Sequence, residues 1–443
     1  MYVCREPHEP QLELFERSMP FADKLNRANR WIRLAQAIDW RALEVSYAKL
    51  FAETGRPALR ARYVLGTLIL KHQFELSDDD ILQLIIESPY LQYFIGLAQF
   101  TMSAPFETSS LSRVRERLGE KTFQEFEEAL IATLVAQKII KPKSLQVDAT
   151  VFESDITYPT DCGLLEKGRQ FCVKQIQQLS QVVQKKVRTY CRVAKKQYLN
   201  FAKKKHKTKK QIRRMQKALL QYVRRNIGQL SELLTQAQER GHEVAEKIID
   251  TLETVKRLYA QQREMYKEKK KSIANRIVSL AKPYVRPIVR GKNGKDVEFG
   301  AKAQLSHVDG YLFVDHLSFD NFNESTTLKE SLAAHQRRFG ELPKEVLMDQ
   351  IYGSRDNRDD LRDKGIRTSV KKLGRPSSDD ASASETRWRK RKQRERNRIE
   401  GAIGNGKTCY DLGLVRAKTP KTESSWIQMA LFSRNVMLAV SRI

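Results

Sequence analysis

Two carboxylates, Asp148 and Asp349, each stand at or near the end of a segment patterned as a β-strand. A third, Glu400, lies in the most basic helical run of the chain, Arg396-Asn397-Arg398-Ile399-Glu400-Gly401. Taken singly, an acid at a strand end is a common turn-former. Glu400 is harder to dismiss: residues 387–398 hold eight Lys and Arg against one acid, and an acid sharing a face with Arg396 opposes phosphate binding unless it holds a divalent cation that binds the phosphate instead. At about 100° per residue, Gln393, Arg396, Glu400 and Lys407 line one face if the helix continues. Gly401 and Gly404 would permit close backbone approach or mark the helix end. The seven histidines form no H-x-x-x-H or H-E-x-x-H arrangement, and Cys4, Cys162, Cys172, Cys191 and Cys409 form no C-x-x-C pair. A catalytic metal would therefore be held by carboxylates, which favours Mg²⁺ or Mn²⁺. The scattered cysteines read as reduced cytosolic thiols and exclude a disulfide framework or a zinc module.

These acids need strands and helices to hold them. In Leu145-Gln146-Val147-Asp148-Ala149-Thr150-Val151, Leu145, Val147 and Val151 point one way and Gln146, Asp148 and Thr150 the other. Residues 158–163 read as a turn or loop, and Glu153, Asp155 and Asp161 rank below Asp148 because acids there are ordinary. Residues 296–305 and 311–319 alternate around Val308-Asp309-Gly310, which predicts a hairpin. A helix over 326–339 leads to Val346-Leu347-Met348 and Asp349. Then come Tyr352-Gly353-Ser354, a polar helix to Lys364, a short strand at 366–370 and a Gly/Pro/Ser-rich loop at 374–384. The stripe Trp426, Ile427, Ala430, Leu431, Met437, Leu438 predicts a carboxy-terminal helix packed on the core.

Upstream, apolar residues recur at helical spacing over 29–51 and 57–74. Ser77 precedes Asp78, Asp79 and Asp80 as an N-cap, and a further helix is expected over 110–137. Such short helices suit a helix-turn-helix DNA reader and equally a plain helical bundle.

The 443 residues suggest about two or three domains. With 81 Lys+Arg and 53 Asp+Glu, the net charge is +28, which favours polyanionic partners. No apolar run reaches the roughly 20 residues that span a bilayer, and the amino terminus carries no secretory signal. The charge is localised. Residues 167–231 contain 20 Lys and Arg and no acid, residues 387–398 add +7, and residues 1–166 balance at −5. The 167–231 block reads as long helices with one apolar stripe, and the helical pattern continues to Pro283 and Pro287. A solvated hairpin would carry mixed charges with i,i+4 pairs. A block without acids instead predicts phosphate contact, through Lys203, Lys204, Lys205, Lys209, Lys210, Arg213 and Arg214.

The residues resemble the bacterial insertion-sequence transposases of the DDE type. In their Tyr-Arg-Glu-Lys subgroup the third acid lies in Y-x2-R-x3-E-x6-K. Arg396, Glu400 and Lys407 reproduce the spacing, with Gln393 at the tyrosine position. VDATVFESDITYPTDCGLL resembles the first-acid strand and its following loop, and MDQIYGSRDN the second, D-x-x-Y-G-S-x-x-N. RPALRARYVLGTLILKHQFELSDDDILQLIIESPYLQYFIG resembles the helical domain that precedes such cores.

The resemblance implies an α/β fold: a ribonuclease-H-like mixed-sheet catalytic core (141–163 and 282–443), interrupted by a long basic helical insertion (164–281) and preceded by an all-helical domain for DNA-end recognition (1–140). It implies that Asp148, Asp349 and Glu400 hold two Mg²⁺ ions, with Mn²⁺ able to substitute, while Arg396, Lys407 and Arg398 contact phosphates. The implied partners are double-stranded DNA, as terminal inverted repeats and target, and a second copy in a homodimer on DNA. No coiled-coil heptad identifies that interface. The implied place of action is the bacterial cytoplasm, at the nucleoid, with no membrane partner. A non-catalytic DNA-binding regulator derived from such an enzyme, and a structure-selective or RNA-directed nuclease sharing the core, are the competing readings.

Overall fold

The computed structural model describes residues 25–292, 295–371 and 383–442. The amino terminus with Cys4, and the loop expected at 374–384 up to residue 382, lie outside the described residues. The chain divides into two units, one comprising Met1–Asp155 with Gly300–Ile443, the other Ile156–Phe299.

Among the described residues, the first unit opens with seven helices: α1 (Arg30–Ala37), α2 (Trp40–Ala48), α3 (Ala61–Phe74), α4 (Asp78–Glu87), α5 (Pro89–Phe94), α6 (Ser109–Arg117) and α7 (Glu120–Ala136). Ser77 caps α4 as expected, accepting from the Asp80 N–H at 3.1 Å. The helix expected over 29–51 is two, because Asp39 accepts from the Ala42 N–H at 3.0 Å and starts a new one. The helix expected over 110–137 also breaks, at Leu118 and the extended N-cap Gly119. A single polar or glycine residue suffices for such a break when tertiary packing accepts the turn.

The sheet begins with β1 (Ser144–Glu153). The second unit follows, with α8 (Asp161–Val182), α9 (Cys191–Ala202), α10 (Lys209–Glu239), α11 (Glu246–Glu268) and β2 (Arg286–Lys292). Then come β3 (Lys295–Val308), β4 (Tyr311–Ser318), α12 (Leu328–Phe339), β5 (Glu345–Leu347), α13 (Arg355–Asp363), β6 (Arg367–Thr368), α14 (Ala383–Cys409) and α15 (Pro420–Arg442). Strands run in the order β2-β3-β1-β5-β6, with β4 also paired to β3. β1 is antiparallel to β3 and parallel to β5, so the fold is mixed α/β. The β3–β4 hairpin turns at Asp309 and Gly310, both at positive φ, as a two-residue hairpin loop requires.

α15 is more deeply buried than one apolar stripe predicts. Its Met429, Phe432 and Val436 join the core formed by α1–α7, while Ile427, Ala430 and Leu431 join one beneath β1, β3 and α14. Burying each large side chain contributes about 1.5–3 kcal/mol.

In the second unit α8, α10 and α11 enclose their own core. Leu219, Val223, Asn226, Leu230, Leu233 and Ala237 of α10 are buried at alternating steps of four and three, a heptad-type seam. That seam is used inside the unit. α11 stops at Lys269, which adopts a left-handed conformation, well before the prolines expected to end it. Among the described residues, no helix is long and apolar enough to cross a membrane.

Candidate active site

β1 places Asp148 in the centre of the sheet, opposite Leu305 of β3. The face expected to be polar is shielded: Gln146 and Thr150 are buried, and Asp148 is half-buried. A central strand covered on both sides loses the solvent alternation of an edge strand. The Asp148 carboxylate accepts from the Ala149 N–H at 2.9 Å.

The parallel register pairs Gln146 with Leu347. Asp148 and Asp349 each lie two residues beyond that pair, so the first two acids leave neighbouring strands at equivalent positions. Strand spacing of about 4.8 Å sets the scale of their separation. Asp349 is exposed and caps a 3₁₀ turn, accepting from the Gln350 N–H at 2.6 Å.

The residues after Asp349 lock that turn. Tyr352 is fully buried and donates its hydroxyl to Gln304 Oε1 at 2.7 Å. Burial, then the charges of Glu324 and Asp148, raise the Tyr352 pKa, so the phenol stays protonated and donates. A Cβ on Gly353 would lie 2.6 Å from Val370 Cγ1 and 2.7 Å from Arg358 Nη2. Ser354 caps α13, accepting from the Asn357 N–H at 3.3 Å. Asn357 Nδ2 in turn donates to the carbonyls of Tyr352 at 2.8 Å and Ser325 at 2.7 Å. Each polar position in D-x-x-Y-G-S-x-x-N thus has a structural task around the second acid, a signal available in its spacing. Gln304, the partner of Tyr352, carried no sequence signal.

α14 packs on β1, β4 and β5 through buried Ile399, Ala402 and Ile403. The helix does continue past Glu400, to Cys409. Gly401 and Gly404 are neither a close approach nor a helix end, since a Cβ at either would meet nothing within 4 Å. Of the four residues expected on one face, Gln393 is exposed, and Arg396 Nη2 pairs with Glu400 Oε1 at 3.1 Å. Lys407 turns inward, donating to the Val151 carbonyl at 2.8 Å and fastening α14 to β1. The basic run is partly neutralised: Arg389 pairs with Glu385 at 3.2 Å, and Lys392 with Glu395 at 2.8 Å and with Glu345. Arg394 and Arg398 face solvent.

Asp148, Asp349 and Glu400 offer an all-oxygen donor set suited to Mg²⁺. Among the described residues, however, no three His, Cys, Asp or Glu side chains are grouped closely enough to hold a metal. The register brings the first two acids level, while Glu400 is held by Arg396 on the neighbouring helix. Of the lower-ranked acids, Asp161 ties helices together: it accepts from Gln216 at 3.1 Å, Gln262 at 2.9 Å and Arg276 at 2.8 Å. A cavity of about 350 Å³ between α7, β4 and the start of α15 contains none of these site residues.

In the second unit Lys203, Lys204, Lys205, Lys209, Lys210, Arg213 and Arg214 are all exposed, gathered where α9 ends and α10 begins. Arg213 stacks 4.3 Å from the Tyr266 ring centroid. Lys209 and Lys210 occupy the first turn of α10, where the helix dipole disfavours cations.

A family model described as "Transposase domain (DUF772)" matches residues 19–117, and one described as "Transposase DDE domain" matches residues 346–436, the stretch containing Asp349 and Glu400. A Rhizobium meliloti protein described as "Uncharacterized protein ORF8 in nfe locus" is 32% identical over 161 residues, covering 35% of this chain and 78% of that protein. No solved structure is matched.

Proposed function

Since the chain belongs to the DDE transposases, we propose that it cuts the ends of its own insertion sequence and joins the freed 3′-OH ends to target DNA. The observation that carries the proposal is the β1–β5 register, which sets Asp148 and Asp349 level beneath the helix that bears Glu400. The path β4-β3-β1-β5-β6, with a first acid on β1, a second after β5 and a third on α14, supports a ribonuclease-H-like core.

Asp148, Asp349 and Glu400 are the carboxylates that would hold two Mg²⁺ ions. Bound metal would supply activation of the attacking oxygen and charge neutralisation at the leaving 3′ oxygen. Arg396 and Arg398 orient the phosphate backbone along α14, and Lys407, which steadies the helix against β1, joins them when DNA is present. Such contacts position DNA without reading bases. The exposed cluster from Lys203 to Arg214 adds phosphate contacts, and its cations in the first turn of α10 gain from an anion that offsets the dipole. In this reading residues 1–140 recognise the ends, 141–163 and 282–443 form the catalytic core, and 164–281 form the insertion. The protein works as a homodimer on nucleoid DNA in the cytoplasm.

The test is incubation of the full chain with Mg²⁺, DNA bearing the inverted repeats that flank its gene, and a target duplex. Products with element 3′ ends joined to target support the proposal. Tight binding with no nick in Mg²⁺ or Mn²⁺ contradicts it and favours the regulator.

A further inference from the structure

The ion pair on α14 has the wrong partner for a carboxylate that must reach a metal. Arg396 Nη2 lies 3.1 Å from Glu400 Oε1, with the arginine side chain 12% and the glutamate 54% exposed. Ile399, the residue before Glu400, is fully buried, so the backbone at this turn is seated and only the glutamate side chain needs to rotate to change partner. We propose that Arg396 is a positioning residue that withholds Glu400 from Asp148 and Asp349 until a DNA phosphate takes its place on the guanidinium, so that DNA binding and divalent-cation binding are coupled at this site. The proposal rests on the carboxylate assignment above and concerns its regulation.

Three observations support the exchange. The pair has Arg on the amino-terminal side of Glu, the weaker i,i+4 orientation, and it is open to water at the glutamate, so it is readily released. Arg396 Nε makes no hydrogen bond, so Glu400 is held through one terminal nitrogen rather than a forked contact, and the exchange breaks a single bond. The three acids, two of them level across the β1–β5 register and the third paired with Arg396, do not form a metal-holding group among the described residues. Coupling between two binding events is reciprocal, so the cation must tighten DNA binding as much as DNA tightens cation binding.

The experiment measures Mn²⁺ affinity of the full chain by electron paramagnetic resonance, with and without a random-sequence duplex whose own Mn²⁺ binding is subtracted. Wild type should bind Mn²⁺ more tightly with duplex. Arg396→Gln should tighten Mn²⁺ binding in the DNA-free protein by about twofold, the scale of an i,i+4 helical ion pair, and shrink the gain from duplex. Arg394→Gln removes an equal charge from an exposed neighbour and should leave the DNA-free affinity near wild type. Unchanged DNA-free affinity in Arg396→Gln, or an equal rise in Arg394→Gln, overturns the proposal. Glu400→Gln separates this from the wider reading. If it lowers Mn²⁺ binding with duplex while Arg396→Gln has no effect, only the exchange fails. If it changes binding in neither condition, the carboxylate assignment fails with it.

Discussion

Tyr352 donates its hydroxyl to Gln304 Oε1 at 2.7 Å, and both side chains are fully buried. Gln304 pairs across the ladder with Ala149, the neighbour of Asp148. One hydrogen bond thus connects the turn bearing the second acid to the strand pair bearing the first. Tyr352→Phe leaves the glutamine acceptor buried and unmatched, at a cost of about 1–3 kcal/mol. Urea denaturation of both proteins measures the loss, and a difference near zero would remove this bond from the account.

Gly353 has no room for a side chain. Gly353→Ala must displace Val370 or Arg358, an overpacking that costs about 1–3 kcal/mol. Because the displacement falls next to Asp349, DNA cleavage should drop further than the stability loss explains. Cleavage rates measured well below the melting temperature of the variant separate the two effects.

Lys71 of α3 pairs with Asp411, which follows α14, at 2.6 Å, with both side chains nearly inaccessible. The ammonium also sits 3.5 Å from the Trp426 ring centroid. Lys71→Met alone leaves a buried charge and should cost about 3–5 kcal/mol, whereas Lys71→Met with Asp411→Asn, which removes that charge and suits the left-handed backbone at this position, should recover much of it. Denaturation of the single and double variants tests this link between the amino-terminal helices and the segment joining α14 to α15.

His307 is buried, and burial, then Arg434, Arg398 and Arg442, push its pKa down from 6.5 to about 4. Its folded value lies below its unfolded one, so between these limits the unfolded chain binds more protons. Stability therefore rises with pH across this window and falls on acidification, by about 3 kcal/mol in full. Stability measured from pH 4 to 7 should show that slope in wild type and a flatter one in His307→Gln.

Much of the sheet was legible because alternation at Asp148, at β3 and at β4 is a local pattern. Helix breaks at Asp39 and Gly119 were not, since each depends on whether packing accepts a turn. α15 looked like one apolar stripe because its polar residues hide tertiary bonds: Ser425 donates to the carbonyls of Arg115 and Leu118, and Asn435 bonds both backbone groups of Leu312. At the site, i,i+4 spacing made contact between Arg396 and Glu400 foreseeable. The inward turn of Lys407 to Val151 was not, because it depends on how α14 lies on β1.

The most direct test of the account is Mg²⁺-dependent nicking of inverted-repeat DNA by Asp148→Asn, Asp349→Asn and Glu400→Gln, beside Asp155→Asn from the same stretch of chain as the first acid. The account predicts that each of the three loses nicking to background while still binding DNA, and that Asp155→Asn nicks like wild type. Full nicking by any of the three would contradict it.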